Sequence, residues 1–506
     1  MTLTSAWYAL FLVCVAALYF ILPKRLQNVV LLAASFVFYG FNLPKNGTLL
    51  HRALPILVLV ASALFTFYIA RAIDAADGKR RTRLMAAAVA TCVLVLCVFK
   101  YFNLFLATAL PFPLGISFYT FASISYIVDV YRRDMAASRD LCAYGVFISF
   151  FGTITSGPIC RAKSLLPQLE KARNLDAQRV CDALRLMLFG FFKQIAIANV
   201  LGLYVNEIFN NMNNYSGLTL IFAAFVYAFQ LYFEFAGYSD IARGSALLLG
   251  LDVPVNFKTP YFATNFSGFW NRWHISLSSW LQDYIFMPLV WSRPFTKLPV
   301  VGKRLDNGKP PVISSVALVF IISGFWHGNT LPFVIWGCLQ ALYRVGEELL
   351  HKYYKKPKKK PSLPLRIFKT VSVFILWTES LVFFRIGLLA DGTVGGCFSY
   401  LARQFSGVSV SQFFADTSSA VQNGFYAKSI MVLAYFAFIL LVMVIGIYTD
   451  WRQCFKCKDK QIANSVAALS VGKRWAVYYV LIALILAAFI MQSGGFGTVS
   501  FAYAGF

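Results

Sequence analysis

LTLIFAAFVYAFQLYFEFAGYSDIAR, residues 218–243, decides the class of fold. Its first part, Leu218–Phe233, comes close to the ~20 mostly apolar residues that a helix needs to cross a bilayer. Gln230, Glu234, Tyr238, Asp240 and Arg243 interrupt the apolar pattern. A charge at mid-bilayer costs about 2.5–3.5 kcal/mol even on a lenient insertion scale, so such groups turn toward a bundle interior or a wet cavity. The stretch reads as an inner helix of a bundle. Its polar residues have two readings: a structural carboxylate–arginine pair that locks helices together, or direct chemistry. Lys193, inside Leu184–Val205, either pairs with one of those carboxylates or extends its ammonium to an interface.

The rest of the chain repeats the apolar theme. Ala6–Leu22, Val29–Phe41, Leu54–Ala70, Leu84–Phe99, Ser372–Phe384, Ile430–Ile447 and Trp475–Met491 are each close to membrane length. Of 506 residues, 59% are hydrophobic, 17% aromatic and only 13% charged, against roughly 25% charged in soluble domains. Lipid offers no partner for open backbone groups, so the spans must be helices. The expected fold is all-α and polytopic, with roughly 10–12 transmembrane helices plus re-entrant or interfacial ones. The first run lacks a preceding positive region and a small-residue cleavage site, and reads as a retained span.

The net charge of +25 could suggest nucleic acid, but its distribution argues otherwise. Basic residues gather in short connections: Lys24 and Arg25, Lys79 to Arg83, Arg132 and Arg133, Lys352 to Lys360, and Arg452 to Lys460. Positive loops mark the cytoplasmic side and can also meet anionic lipid. Base-stacking motifs are absent, so no nucleic-acid partner is expected. The 387–427 segment, rich in Gly and Ser and nearly uncharged, reads as a loop on the outer side. This arrangement puts both termini of a multi-pass cell-membrane protein outside. The ten cysteines lie mostly in apolar runs, and the lone CxxC at Cys454 and Cys457 lacks the second pair of a zinc site, so no metal is expected. No internal repeat is visible, which speaks against a repeat-built transporter.

Three stretches in the middle carry polar chemistry. Residues 111–133, PFPLGISFYTFASISYIVDVYRR, read as a Pro/Gly-broken entry into an apolar helix with Asp129 near its end. Residues 267–289, SGFWNRWHISLSSWLQDYIFMPL, are too polar for a lipid-facing span. Trp270, Trp273, Leu277 and Trp280 recur at helical spacing there, with His274 and Ser278 on another face, which predicts a short interfacial or re-entrant helix. Residues 321–332, IISGFWHGNTLP, end a further apolar run, and Gly328 would let a partner or ligand approach the backbone closely. Of four histidines, His51 lies beside Arg52 in a loop and His351 adjoins the basic run. His274 and His327 alone sit in apolar settings. Imidazole exchanges protons near neutral pH, so each is either a buried structural residue or a general base.

FWNRWHISLSSWLQDYIFMPL followed by SGFWHG resembles the paired signature of the membrane-bound O-acyltransferase superfamily. The likeness is greatest to the bacterial branch with the alginate O-acetylation membrane subunit and the D-alanyl transfer protein of teichoic acids. PLGISFYTFASISYIVDVYR, SGPICRA, YFEFAGYSDIARG, WTESLVFFR and the closing FGTVSFAYAGF agree with it in the same order. The resemblance implies a single domain over 1–506: peripheral helices in 1–110, a catalytic core in 111–350, C-terminal helices in 351–506, and a central tunnel. It makes His327 the catalytic histidine and His274 a second functional histidine that orients substrate or assists. Trp273, Asn271, Ser276, Ser278, Trp280, Tyr284, Trp326, Glu234 and Asp240 would bind substrate or line the tunnel. Gln282 stands where alginate-type members commonly carry Arg, and Glu234 where they commonly carry Asp.

The implied activity is acyl transfer from a cytoplasmic thioester, acetyl-CoA or another, to a hydroxyl reached from the outer side. No bound cofactor is expected. His327 would take the proton of the attacking hydroxyl, or carry the acyl group itself. Indole nitrogens, Asn271 or backbone amides are candidate donors to the oxyanion. No GxSxG elbow offers a serine route. The implied acceptor is an extracytoplasmic polysaccharide, with a surface or periplasmic acetyltransferase as partner. D-alanyl transfer from a carrier protein toward teichoic acid is the alternative within the superfamily. A polysaccharide or lipid-linked-sugar transporter, using Glu234, Asp240 and Lys193 as its path, is the alternative outside it.

Overall fold

The computed structural model describes residues 1–101, 110–215, 217–292, 295, 297, 311–353, 361–425, 431–457 and 462–493. The His351 side chain, residues 354–360 of the basic run and the closing FGTVSFAYAGF lie outside the described residues. Everything regular is helical, and no strand occurs among the described residues. Among the described residues seven helices are long and apolar enough to cross a membrane, and Ala6–Ile21 and Val312–His327 are shorter apolar helices. Val29–Phe41 lies in a helix of 15 residues.

The chain packs as two compact units, the first comprising 1–187 and 238–255 and the second 188–237 and the described residues from 256 onward. In the first unit the helices are α1 (Ala6–Ile21), α2 (Gln27–Phe41), α3 (Leu49–Asp74), α4 (Gly78–Lys100), α5 (Ile116–Arg132), α6 (Leu141–Ser149) and α7 (Ala162–Leu169). Helix α5 packs on both α3 and α4, while α6 packs on α2. Helix α1 is tied to the 238–255 segment of the same unit: Tyr8 Oη donates to Ser245 Oγ at 2.9 Å and Tyr19 Oη to the Leu249 carbonyl at 3.0 Å. His51 belongs to the first turn of α3, not to a loop, because Thr48 Oγ1 caps that turn by accepting its N–H at 3.2 Å.

Helices α8 (Ala177–Asn210) and α9 (Leu218–Leu248) each run across the boundary between the units. They are the inner helices: 72% and 78% of their most apolar windows are buried in protein. The second unit continues with α10 (Phe266–Trp270), α11 (Ile275–Leu281), α12 (Val312–His327), α13 (Leu331–Tyr353) and α14 (Leu363–Gly387). It ends with α15 (Val394–Arg403), α16 (Val410–Phe425), α17 (Val432–Phe455), α18 (Ile462–Ala467) and α19 (Val471–Ser493). Helix α19 has only 11% of its window buried, leaving a broad apolar face for lipid.

The 387–427 segment is a pair of helices rather than an open loop. Thr393 Oγ1 caps α15 by accepting the Gly396 N–H at 3.1 Å, and Tyr400 stacks on Phe209 with ring centres 4.7 Å apart. Asp416 of α16 accepts from Thr219 Oγ1 at 3.1 Å. Low charge and abundant Gly and Ser concealed two amphipathic helices, whose apolar faces pack on α8 and α9 residues.

Candidate active site

Helices α12 and α13 cross where neither has a side chain. A Cβ on Gly324 would stand 2.6 Å from the Phe333 carbonyl oxygen and 3.0 Å from Gly337 Cα, so the two backbones touch. Only glycine permits this approach. His327 lies one turn past the crossing, at the end of α12. Gly328 continues as extended backbone, and the Phe333 ring fills the space its Cβ would occupy. The neighbour of Gly328 is therefore a side chain of this chain, where the sequence suggested a partner or ligand.

His327 is 5% exposed and packs among aromatic rings. Trp326 lies 4.6 Å away, Trp336 of α13 lies perpendicular at 4.9 Å, and Phe384 of α14 lies at 5.0 Å. Trp336 was not singled out in the sequence; the signal available was its place directly before Gly337, which brings it to the crossing.

The 267–289 segment is not one helix. His274 adopts φ 43°, ψ 53°, which separates α10 from α11. Left-handed backbone in a non-glycine residue costs on the order of 1–2 kcal/mol, so His274 and Ser278 do not share a helical face as the spacing predicted. Hydrogen bonds hold the strained turn: the Ile275 N–H donates to the Asn256 carbonyl at 2.9 Å and the Ser276 N–H to Asn256 Oδ1 at 3.2 Å. Thr259, close by in the same clamp, is also left-handed, with φ 45°, and concentrated strain of this kind is typical of functional sites.

The turn directs the His274 ring inward, edge-on to Phe235 at 4.6 Å. Neither ring nitrogen has a hydrogen-bond partner on another described residue. Burial pushes its pKa down from the usual imidazole range to about 3, so the ring is neutral at ordinary pH. Ser278 Oγ donates to the Trp273 carbonyl at 3.1 Å, and Trp280 meets Tyr284 at 5.4 Å. Trp273, Ser276 and Trp280 are buried, Tyr284 is half-buried, and Asn271 and Gln282 are exposed.

Aromatic rings connect the two histidine segments. Trp273 meets Trp377 at 4.9 Å, Trp377 meets Trp336 at 6.3 Å, and Trp336 meets His327. The sequence-derived residues thus divide into groups. His274, Trp273, Ser276, His327 and Trp326 belong to one aromatic core in the second unit, and Glu234 is buried in that unit at 2% exposure. Arg385, directly after Phe384, counts Tyr227, Glu234 and Tyr400 among its electrostatic partners and donates to Asn206 Oδ1 at 2.9 Å. Asp240 instead lies in the first unit, 3.6 Å from Arg243 in an ion pair along α9. Lys193 is half-buried within a π-helical stretch of α8, Phe192–Asn199. Among the described residues no group of three or more His, Cys, Asp or Glu could hold a metal, and Cys457 Sγ lies 2.7 Å from Ser465 Oγ.

Comparison with known proteins adds an independent line. The family model described as MBOAT, membrane-bound O-acyltransferase family, matches residues 136–378, a range that holds both histidine segments. The probable alginate O-acetylase AlgI of Pseudomonas aeruginosa is 32% identical over 365 residues, covering 69% of this chain and 66% of that protein. The probable alginate O-acetylase AlgI of Azotobacter vinelandii is 31% identical over 402 residues, covering 76% and 74%. The teichoic acid D-alanyltransferase of Bacillus subtilis is 31% identical over 255 residues, covering 49% and 62%.

Proposed function

Because the chain belongs to the membrane-bound O-acyltransferase family, we propose that it moves an acetyl group from a cytoplasmic thioester, acetyl-CoA, to a hydroxyl of a cell-surface polysaccharide. The observation that carries this reading is the His327 ring, buried among Trp326, Trp336 and Phe384 at the end of α12. An imidazole shielded from bulk water can take the proton of an alcohol as the oxygen attacks the thioester carbonyl. The C–S bond then breaks, and the thiolate receives the proton from the imidazolium. Transfer through an acyl-imidazole at His327 divides the same bond changes into two steps. Neutral His274, held in its strained turn, positions substrate rather than exchanging the proton.

The donor enters from the cytoplasm and the acceptor from outside, through a passage that meets at His327. Both termini face outward, and a surface acetyltransferase relays the group to the polymer. The relatives named as alginate O-acetylases support acetyl as the group transferred. D-alanyl transfer from a carrier protein is the second reading, favoured by the teichoic acid relative.

The test uses the purified full chain in detergent, with acetyl-CoA and oligosaccharide fragments of alginate, and reads release of free CoA. Wild-type protein releases CoA, and His327→Ala lowers the rate at least a thousandfold. Turnover that survives the substitution excludes this site. Turnover only with a D-alanyl carrier protein selects the second reading. Absence of turnover with either donor points to transport.

A further inference from the structure

Trp336 is 2% exposed, and its indole N–H has no acceptor among the described residues. The ring lies perpendicular to His327 at 4.9 Å and also meets Phe384 at 5.3 Å. Indole nitrogen is a donor only, so this group cannot be satisfied by turning into an acceptor role. A donor stranded in a dry core is costly, and such a group calls for an explanation in the chemistry of the site. The Trp377 N–H likewise lacks a hydrogen-bond acceptor among the described residues, but its ring meets Phe269, Trp270, Trp273 and Trp336 rather than His327. Trp270 also has an unpartnered buried N–H, but its ring meets Phe269, Phe320, Trp336 and Trp377 and does not reach His327. Of the indoles in ring contact with His327, Trp326 precedes it on α12, whereas Trp336 faces it from α13 with an N–H that has no acceptor among the described residues.

We propose that the Trp336 indole N–H is an oxyanion donor, hydrogen-bonding the thioester carbonyl oxygen as acyl transfer makes it negative. This rests on the acyl-transfer reading above. The alcohol O–H proton passes to His327, and the alcohol oxygen bonds to the carbonyl carbon. The C=O electron pair moves onto oxygen, where the indole hydrogen meets it. Collapse restores C=O and expels the thiolate, which takes the proton back from the imidazolium. A neutral donor suits this place because it stabilises the transition-state charge without adding a buried cation to the resting site. It is also carried on a fixed backbone: Gly337, the next residue, is held against Gly324, so the backbone beneath the indole cannot shift without opening the helix crossing.

Trp336→Phe keeps an aromatic ring but removes the N–H together with the five-membered half of the indole. In the CoA-release assay, the variant loses kcat about a hundredfold, in the range seen on removing one oxyanion donor, while KM for acetyl-CoA stays within about threefold. Trp270→Phe removes the comparable N–H without touching His327 and keeps wild-type kcat. Trp336→Tyr, which supplies an O–H donor, recovers at least part of the lost rate. Melting temperatures of all variants separate catalytic loss from unfolding, and if Phe destabilises the protein the Tyr variant decides. A Phe variant with wild-type kcat, or a stable Tyr variant no better than Phe, overturns the inference while His327→Ala inactivity leaves the acyl-transfer reading standing. A wild-type protein with no thioester turnover overturns both.

Discussion

Gly324 and Gly337 are in backbone contact: a Cβ on Gly337 would lie 2.6 Å from the Phe320 carbonyl oxygen and 2.9 Å from Gly324 Cα. This contact sets where α12 ends against α13, and so where His327 meets Trp336. Gly324→Ala or Gly337→Ala must push the helices apart. Overpacking of this kind costs about 1–3 kcal/mol. The expected outcome is a lower melting temperature together with at least a tenfold fall in CoA release, larger than that of Gly346→Ala, where a Cβ meets nothing within 4 Å. Equal behaviour of all three alanine variants would sink the argument.

His274 makes stability depend on pH. Its folded pKa is depressed to about 3, below the unfolded value of roughly 6.5. Below that upper value the unfolded chain binds a proton that the folded protein excludes, so stability is full above it and falls on acidification. The loss is about 1.4 kcal/mol for each pH unit beneath roughly 6.5. His274→Asn, which tolerates left-handed backbone, removes this contribution. The variant's melting temperature should fall less than wild type's between pH 7 and pH 5.5, measured in the same detergent.

Asn256 holds the turn through its carbonyl and its side chain, but only the side chain can be removed by mutation. Asn256→Ala leaves the Ser276 N–H without its acceptor, a cost of about 1–3 kcal/mol for a buried donor. A drop in melting temperature is expected, along with weaker protection of the 274–276 amides in hydrogen exchange. Unchanged protection there would show that the clamp does not depend on this side chain.

Arg385 and Glu234 are both buried, with 9% and 2% exposure. Arg385→Leu alone removes a cation that interacts electrostatically with the Glu234 carboxylate and should lower the melting temperature, whereas the double change with Glu234→Leu should recover part of that loss. A melting-temperature double-mutant cycle measures the coupling. If the double variant folds well yet has lost CoA release, the polar pair serves chemistry; if both stability and turnover return, it serves packing.

Much of this was legible beforehand because lipid is an unforgiving solvent. Long apolar runs had to be helices, and the polar residues of 218–243 had to face protein, as the burial of Gln230, Glu234 and Asp240 shows. The two histidine segments stood out because few imidazoles occur in apolar surroundings. The amphipathic pair in 387–427 escaped notice, since a helix with few charges resembles a loop when its partners are unknown.

The amino-acid order by itself determined that this is a many-helix membrane protein and which segments carry its polar chemistry, because solvation acts on each segment locally. Only the tertiary structure decided that His274 breaks a helix instead of sitting within one, and that Trp336 stands against His327. Those outcomes depend on contacts between residues distant in the chain: Asn256 with the 275–276 amides, and one glycine backbone against another. Their energies exist only once the partners have met.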